Sequence, residues 1–289
     1  MRVAVVGATG TIGAPLVDAL ARAGHEVVAV SRGGGRPRQG VTPVAADASD
    51  PAAILEALQG AEVVCHLVHS LGRRDFEEAD RAAARAVAEG AAAGGARQIV
   101  FLGGLVGATH ELSPHLRSRM ETAALLATGE VPVTTLRAAM IVGAGSAAFE
   151  TILALVDRLP VMICPRWVSV ETQPVALDDV VDALVAVTGD ERTFAESYDV
   201  GGPEVMTYRS MIERVARIRG KHPLLVEVPF LTPRLSSLWL HLVTPVNAAV
   251  SRPLVEGLKV PTVARDDRIW ELAARRPLSF DEAVRAALH

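Results

Sequence analysis

Apolar and polar positions along the first half of the chain fall into a repeating alternation. Short runs rich in valine and other β-branched residues, VAVVG, EVVAVS, TPVAAD, EVVCHLV, QIVFLG and VTTLRA, are separated by longer Ala-rich stretches such as Thr11 to Ala23 and Phe76 to Ala93. The runs have the length and composition of buried strands, and the stretches between them are long enough to cross over between parallel neighbours. This pattern predicts an α/β fold, a Rossmann-type doubly wound parallel sheet with helices on both faces. After Gly143 the rhythm loosens and prolines from Pro160 to Pro261 punctuate shorter elements. Within that part DDVVDALVAVTG reads as a helix capped by Asp178 and ESYDVGGP as one more strand. The expected organisation is a nucleotide-binding core over residues 1–145, with 175–202 returning to the sheet. Residues 146–289 then make a small C-terminal α+β substrate lobe or lid that is not a separate folding domain.

Composition narrows the function classes. Half of the 289 residues are apolar, enough for a substantial core. The formal charge of −4 is spread in both signs without a basic block, so no nucleic-acid partner is expected. Cys65 and Cys164, the two cysteines, sit in apolar surroundings and read as core side chains of a reducing compartment, with no disulfide or metal site. The opening residues run straight into an apolar strand and a glycine turn, so a cytoplasmic protein is expected. No transmembrane segment is expected either, because Pro233, Arg234, Pro245 and Arg252 interrupt the most apolar region. Leu224 to Leu258 stays open as a membrane-surface segment or as a core or pocket wall. Oligomeric state is left open.

The first chemistry-bearing motif is VAVVGATGTIGAPLVDAL. Gly7, Gly10 and Gly13, with Ala8, Thr9, Thr11 and Ile12 between them, follow a strand and open a helix. Glycines there permit a tight turn, close approach of backbone N–H groups to a pyrophosphate, and tight helix-on-strand packing, while the helix N-terminus adds about half a positive charge. A purely structural turn is the plainer reading. At the end of the second strand, where an acid would accept from a ribose, the chain has Ser31 and Arg32, with Arg36 and Arg38 close behind. A guanidinium fork suits a 2′-phosphate, so NADP(H) is expected over NAD(H). A solvated arginine loop or an RGG-like RNA element are the alternatives. Asp47 and Ala48 fit the adenine, or Asp47 is a turn ahead of Pro51, and Leu67, Val68 and His69 would pass under the adenosine. His66 and His69, read as one strand, point to opposite faces and so share no metal.

With GATGTIG, SR, AADASDP, QIVFLGGL, LSPHLRSRMETAALL, VPVTTLRAAMIVGAGS, TQPVALDDV and YDVGGPEVMTYRSMIERVA in order, the chain resembles the atypical short-chain dehydrogenases/reductases, most of all the NmrA-like and YbjT-like NAD(P)-binding proteins. That resemblance implies a nicotinamide cofactor. It also implies a Ser after the fifth strand, a Tyr, a Lys four residues later, and an Asn on the preceding helix. These fall on Gly103 or Gly104, His115, Arg119 and Asp80, so all four depart from the catalytic pattern. Tyr198 and Tyr208 are followed at that spacing by Gly202 and Ile212, and no Lys precedes Lys221. His115 and Arg119 share a helical face, which lets Arg119 reach the nicotinamide ribose while His115 faces the substrate. A nearby guanidinium and partial burial hold the imidazole neutral, giving ~10²-fold general-acid help. The alternative makes both first-turn polar residues behind an N-cap at Ser113, with Pro114 the first helical residue. Gly103, Gly104, Met140, Ile141, Phe149, Met162, Trp167 and Gln173 are the expected pocket wall, for a small apolar substrate or effector. Two functions compete: an NADPH-dependent oxidoreductase acting on a hydrophobic carbonyl or quinone, and a non-catalytic NAD(P)H-sensing regulatory binder. An epimerase is disfavoured by the missing Tyr.

Overall fold

The computed structural model describes residues 1–106, 112–228 and 260–289. In chain order the core comprises β1 (Arg2–Val6), α1 (Gly13–Arg22), β2 (Glu26–Ser31), β3 (Val41–Ala45), α2 (Pro51–Ala57), β4 (Val63–His66), α3 (Phe76–Gly94), β5 (Gln98–Gly104), α4 (Pro114–Leu126) and β6 (Val133–Ala138). There follow β7 (Ile141–Val142), α5 (Ala147–Arg158), β8 (Val161–Pro165), β9 (Glu171–Thr172), β10 (Val175–Ala176), α6 (Leu177–Val187) and β11 (Ser197–Val200). The last described elements are β12 (Met206–Thr207), α7 (Tyr208–Ile218), β13 (Leu224–Val228), α8 (Arg268–Leu272) and α9 (Phe280–Ala287). The main sheet has the order β3-β2-β1-β4-β5-β6-β11, every neighbouring pair parallel.

Strand periodicity explains the two layers. On β1, Val3 and Val5 face a cluster made with Leu16, Val17 and Leu20 of α1 and Val180 and Leu184 of α6. Ala4 and Val6 face the other side, against Ile54 of α2, Ala84 and Val87 of α3 and Leu126 of α4. Both faces are covered, which is why the strands read as continuous apolar runs rather than alternating ones. The Ala-rich composition of α3 lets it lie close to its neighbour: a Cβ at Gly94 would stand 2.5 Å from the Leu58 carbonyl oxygen.

The lobe has its own core. Phe149, Ile152 and Leu155 of α5, Met162 and Cys164 of β8, Met211 of α7 and Phe280 of α9 bury one another. The helix expected to be capped by Asp178 starts two residues earlier: Ala176 is its N-cap and Asp178 sits in the first turn, where its charge favours the helix dipole without a capping bond. Leu224 to Val228 pair with β8, with Leu224 and Val226 exposed, and the remainder of the 224–258 stretch lies outside the described residues. Cys65 and Cys164 are free and buried. Among the described residues no helix is long and apolar enough to cross a membrane.

The strand order reverses between β1 and β4, whose neighbours on the far sides are β2 and β5, so a crevice opens beyond their carboxyl ends. Gly13 makes that crevice possible, because a Cβ there would stand 2.1 Å from the Gly7 carbonyl oxygen. Gly13→Ala is therefore expected to destabilise the fold by about 1–3 kcal/mol. An unchanged urea midpoint would contradict this packing argument.

Candidate functional site

The turn after β1 is clamped from behind. Gly7, at φ +97°, and Ala8 both donate N–H to the Val30 carbonyl at 3.0 and 3.1 Å, and the Gly10 amide closes back onto the Gly7 carbonyl at 3.0 Å. A Cβ on Gly7 would press on the Leu67 and Val68 backbone at 3.2 Å. The turn leads into α1, whose N-cap Ile12 supplies no side-chain bond, whereas α2, α4, α7 and α9 are capped by Asp50, Ser113, Thr207 and Ser279. An uncapped helix start beside a glycine cradle is a site for an anion.

Two cavities meet at this turn and share Gly7, Gly10, Leu67, His69 and Gly72. The smaller, of about 490 Å³, runs over Thr9, Ser31, Arg32, Asp47, Ala48 and Val68. The larger, of about 550 Å³, lies between α1 and the lobe and is lined by Leu105, Leu116, Met140 and Ile141 together with Thr11, Ile12, Gly104, His115 and Tyr208. Thr11 donates its hydroxyl to the Gly145 carbonyl at 3.0 Å and so ties the turn to the lobe.

Other anticipated residues lie off the cavities or line them with their side-chain polar atoms already engaged. Ala8 is buried behind the turn, and Arg36 is exposed off the cavity, while its neighbour Arg38 pairs with Asp18. Ser31 spends its hydroxyl on the Gly34 carbonyl at 2.9 Å. Asp47 accepts from the Ser49 hydroxyl and amide at 2.7 and 2.9 Å, bonds that hold its carboxyl below the usual range. Phe149 and Met162 belong to the lobe core and Trp167 packs against it. Gln173 stitches backbone, donating to the Gly202 carbonyl at 2.6 Å and accepting from the Ala264 amide at 2.9 Å. A Cβ at Gly103 would stand 3.1 Å from the Phe101 ring, and Gly103 is not among the residues of the cavity wall.

Arg119 lies beneath the floor. Its guanidinium donates to the Val68 carbonyl at 3.0 Å and to the Leu102 carbonyl, and stacks over Phe101 at 4.6 Å. Burial pulls its pKa down to about 10, and Asp80 opposes that shift. His115, on the first turn of α4 behind the Ser113 cap, reaches the cavity edge instead.

The structure also assembles a chain that strand periodicity hides. β1 turns away at Gly7, so β4 ends at His66, and His69 lies in the loop beyond rather than on the strand. There its Nδ1 stands 2.8 Å from Asp80 Oδ2 and its Nε2 2.9 Å from His115 Nδ1. Asp80, 1% exposed, also accepts from the Ser70 amide at 2.8 Å and the Ser118 hydroxyl at 2.9 Å. Burial pushes its carboxyl up, but His69, the Ser70 amide and Arg119 together outweigh burial and hold it at about 2. Burial lowers His69, and burial with the neighbouring His69 and Arg119 lowers His115 to about 3. Among the described residues no group of side chains is arranged to hold a metal.

Residues 7–142 match the sequence profile of an NAD(P)H-binding family. A 3-diazoavenalumate denitrifying reductase from a Streptomyces species is 44% identical over 111 residues, which are 35% of this chain and 36% of that protein. The matched stretch thus spans about a third of that relative's length. A ceramide reductase of Caulobacter vibrioides is 29% identical over 238 residues, 78% of this chain and 73% of that one. Among solved structures, an NADPH-dependent quinone oxidoreductase from Escherichia coli, complexed with NADPH, shares the fold with a TM-score of 0.79, covering 99% of this chain and 100% of that one at 21% identity.

One buried group beside the site bears on pH stability. His66 stacks on Phe101, has no partner for either ring nitrogen among the described residues, and is pulled down to about 3 by burial first and Arg119 second. Below about pH 6.5 the unfolded chain takes up a proton that the folded one refuses, so stability falls as pH drops from there towards 3. Replacing the ring by His66→Leu should remove about 2 kcal/mol of the loss between pH 7 and 5. Urea midpoints at the two pH values check this; parallel pH dependence in both proteins would show that the ring is not a buried neutral group.

Proposed function

We propose that this chain, whose residues 7–142 match an NAD(P)H-binding family model and whose fold is shared with an NADPH-dependent quinone oxidoreductase, is an NADP(H)-dependent oxidoreductase for an apolar carbonyl or quinone. The observation that carries the reading is the continuity of the two cavities through Gly7, Gly10, Leu67, His69 and Gly72. A dinucleotide laid across them has its pyrophosphate over the glycine turn and the bare start of α1, where unpaired amides and the helix dipole favour negative charge. Arg32, on the wall of the smaller cavity, is the cation for a 2′-phosphate, and Ala46 to Ala48 with Val68 border the adenine. When bound, the nicotinamide supplies hydride chemistry.

The chain's own contribution lies at the other end. Leu105, Leu116, Met140 and Ile141 exclude water and select an apolar ligand. His115, at the edge of that wall, is the group for the proton, in place of the absent Tyr. The names of relatives, a ceramide reductase and a quinone oxidoreductase, are in keeping with an apolar substrate. The competing reading, a binder that senses the cofactor's redox state, draws on Arg119: both terminal nitrogens are committed to backbone carbonyls, leaving the ribose without that cation. The two readings separate on turnover.

Calorimetry of ligand-stripped protein should give tight NADPH binding, and a panel of quinones and apolar aldehydes should support NADPH oxidation. A sensor shows binding, with unequal affinity for the two redox forms, and no oxidation with any member. Arg32→Ala should lower the NADPH-over-NADH affinity ratio by about 10- to 150-fold, the worth of one charge-assisted bond. An unchanged ratio removes the phosphate role. His115→Phe should cost ~10²-fold in turnover at unchanged NADPH affinity; full activity in that variant takes the imidazole out of the reaction.

A further inference from the structure

We propose that Asp80, acting through His69, holds His115 in the tautomer whose unprotonated Nε2 faces the larger cavity, so that the site is preset to accept a proton from an apolar hydroxyl compound. The inference rests on the reading of His115 as the group at the reacting end, and adds to it a direction and two positioning residues.

The argument is a count of hydrogens. An ionised carboxylate only accepts, so the bond at 2.8 Å between Asp80 Oδ2 and His69 Nδ1 has its hydrogen on the imidazole. The same carboxylate already takes the Ser70 amide on Oδ1 and the Ser118 hydroxyl on Oδ2. Its negative charge is matched by the nearby buried guanidinium of Arg119, and a proton added to His69 would give the cluster a net positive charge that partial burial disfavours. His69 is therefore neutral and its Nε2 is bare. The contact of 2.9 Å between that nitrogen and His115 Nδ1 needs one hydrogen, which His115 must supply. His115, held neutral by burial and by the charges of its neighbours, then carries no hydrogen on Nε2. That nitrogen has no partner among the described residues and is not among the occluded atoms, and the ring lines the cavity.

A ligand meets a hydrogen-bond acceptor set in an apolar wall, which selects a hydroxyl over a carbonyl. When the ligand's O–H bond breaks, an N–H bond forms at His115 Nε2. The Nδ1 proton of His115 passes to His69 Nε2, so that His115 ends neutral in the opposite tautomer and His69 ends doubly protonated against the Asp80 carboxylate, which stays ionised. The hydride leaving the same carbon reduces an oxidised nicotinamide dinucleotide, so the C–H bond breaks as the C=O bond forms. Carbonyl reduction runs the same path backwards and needs the chain loaded with a proton first.

The test reads tautomers directly. In protein labelled with ¹⁵N at the histidine rings, long-range ¹H–¹⁵N correlation at neutral pH should show His69 and His115 each protonated at Nδ1 and bare at Nε2. In Asp80→Asn the amide can keep its oxygen on Ser70 while its NH₂ replaces the acceptor facing His69 and Ser118. Both histidines should then switch, moving the His115 Nε2 resonance to the N–H position. Oxidation of an apolar alcohol should fall ~10²-fold in the same variant. A wild-type His115 protonated at Nε2, or tautomers unmoved by Asp80→Asn, overturns the inference while leaving nucleotide binding intact. If the variant does not fold, the wild-type spectrum decides alone. Absence of NADP(H) binding in calorimetry instead overturns the proposed function, whatever the tautomers.

Discussion

The carboxylate of Asp80 ties together three segments, α3, α4 and the loop after β4. It sits on α3, receives the Ser70 amide and the His69 ring from the loop after β4, and receives the Ser118 hydroxyl from α4. Taking an ionised group out of water costs several kcal/mol, so a buried carboxylate persists only where its acceptor positions are met. Here three donors meet them, with the guanidinium of Arg119 alongside. Because the bonds come from different elements, the cost of burial is offset only when the loop and both helices adopt one relative arrangement. That arrangement brings His115 to the edge of the larger cavity.

The two ends of the crevice are organised on opposite principles. Beside the glycine turn, whose Gly7, Ala8 and Gly10 amides are bonded to carbonyls, α1 starts without a side-chain cap, as α3, α5, α6 and α8 also do, and Arg32 stands on the cavity wall. A bare helix start and a cation in a concave site suit a polyanion. At the far end polar groups are spent on the protein itself, with Arg119 on two carbonyls and Gln173 stitching backbone, and the wall between them is aliphatic. His115 is the exception there, since one ring nitrogen is bonded and the other is not. The contrast between an end that holds Arg32 and the bare start of α1 and a largely apolar end that His115 lines is what gives the pocket its polarity.

The lobe contributes shape. Its core of Phe149, Met162 and Met211 fixes α5 and α7 independently of the sheet, and Thr11 and Gly145 pin it to the glycine turn. Met and aromatic residues near the sixth strand divide accordingly: Met140 faces the cavity, while Phe149 and Met162 hold the lobe together. Composition is the same for both roles, and only the direction of each side chain separates them. Tyr208 illustrates the converse. It opens α7, far along the chain from the glycine turn, yet lines the same cavity as Thr11.

What the chain determined by itself are features that act over a few residues. Valine runs bounded by turns commit β1, β2, β4 and β5 to a buried parallel sheet, and the positions of Gly7, Gly10 and Gly13 follow from steric need, since a Cβ at Gly13 would collide with the Gly7 carbonyl. Ser113 and Pro114 mark the start of α4 for the same local reason. The proton chain was not legible, because its bonds link residues 11 and 46 positions apart and depend on where β4 stops. An extended reading of residues 66–69 sends His66 and His69 to opposite faces. The actual break after His66 is set by β1 turning away at Gly7, an event on a neighbouring strand. Local sterics are written in consecutive residues, whereas the pairing of a buried charge with its donors exists only once the sheet has brought distant segments together.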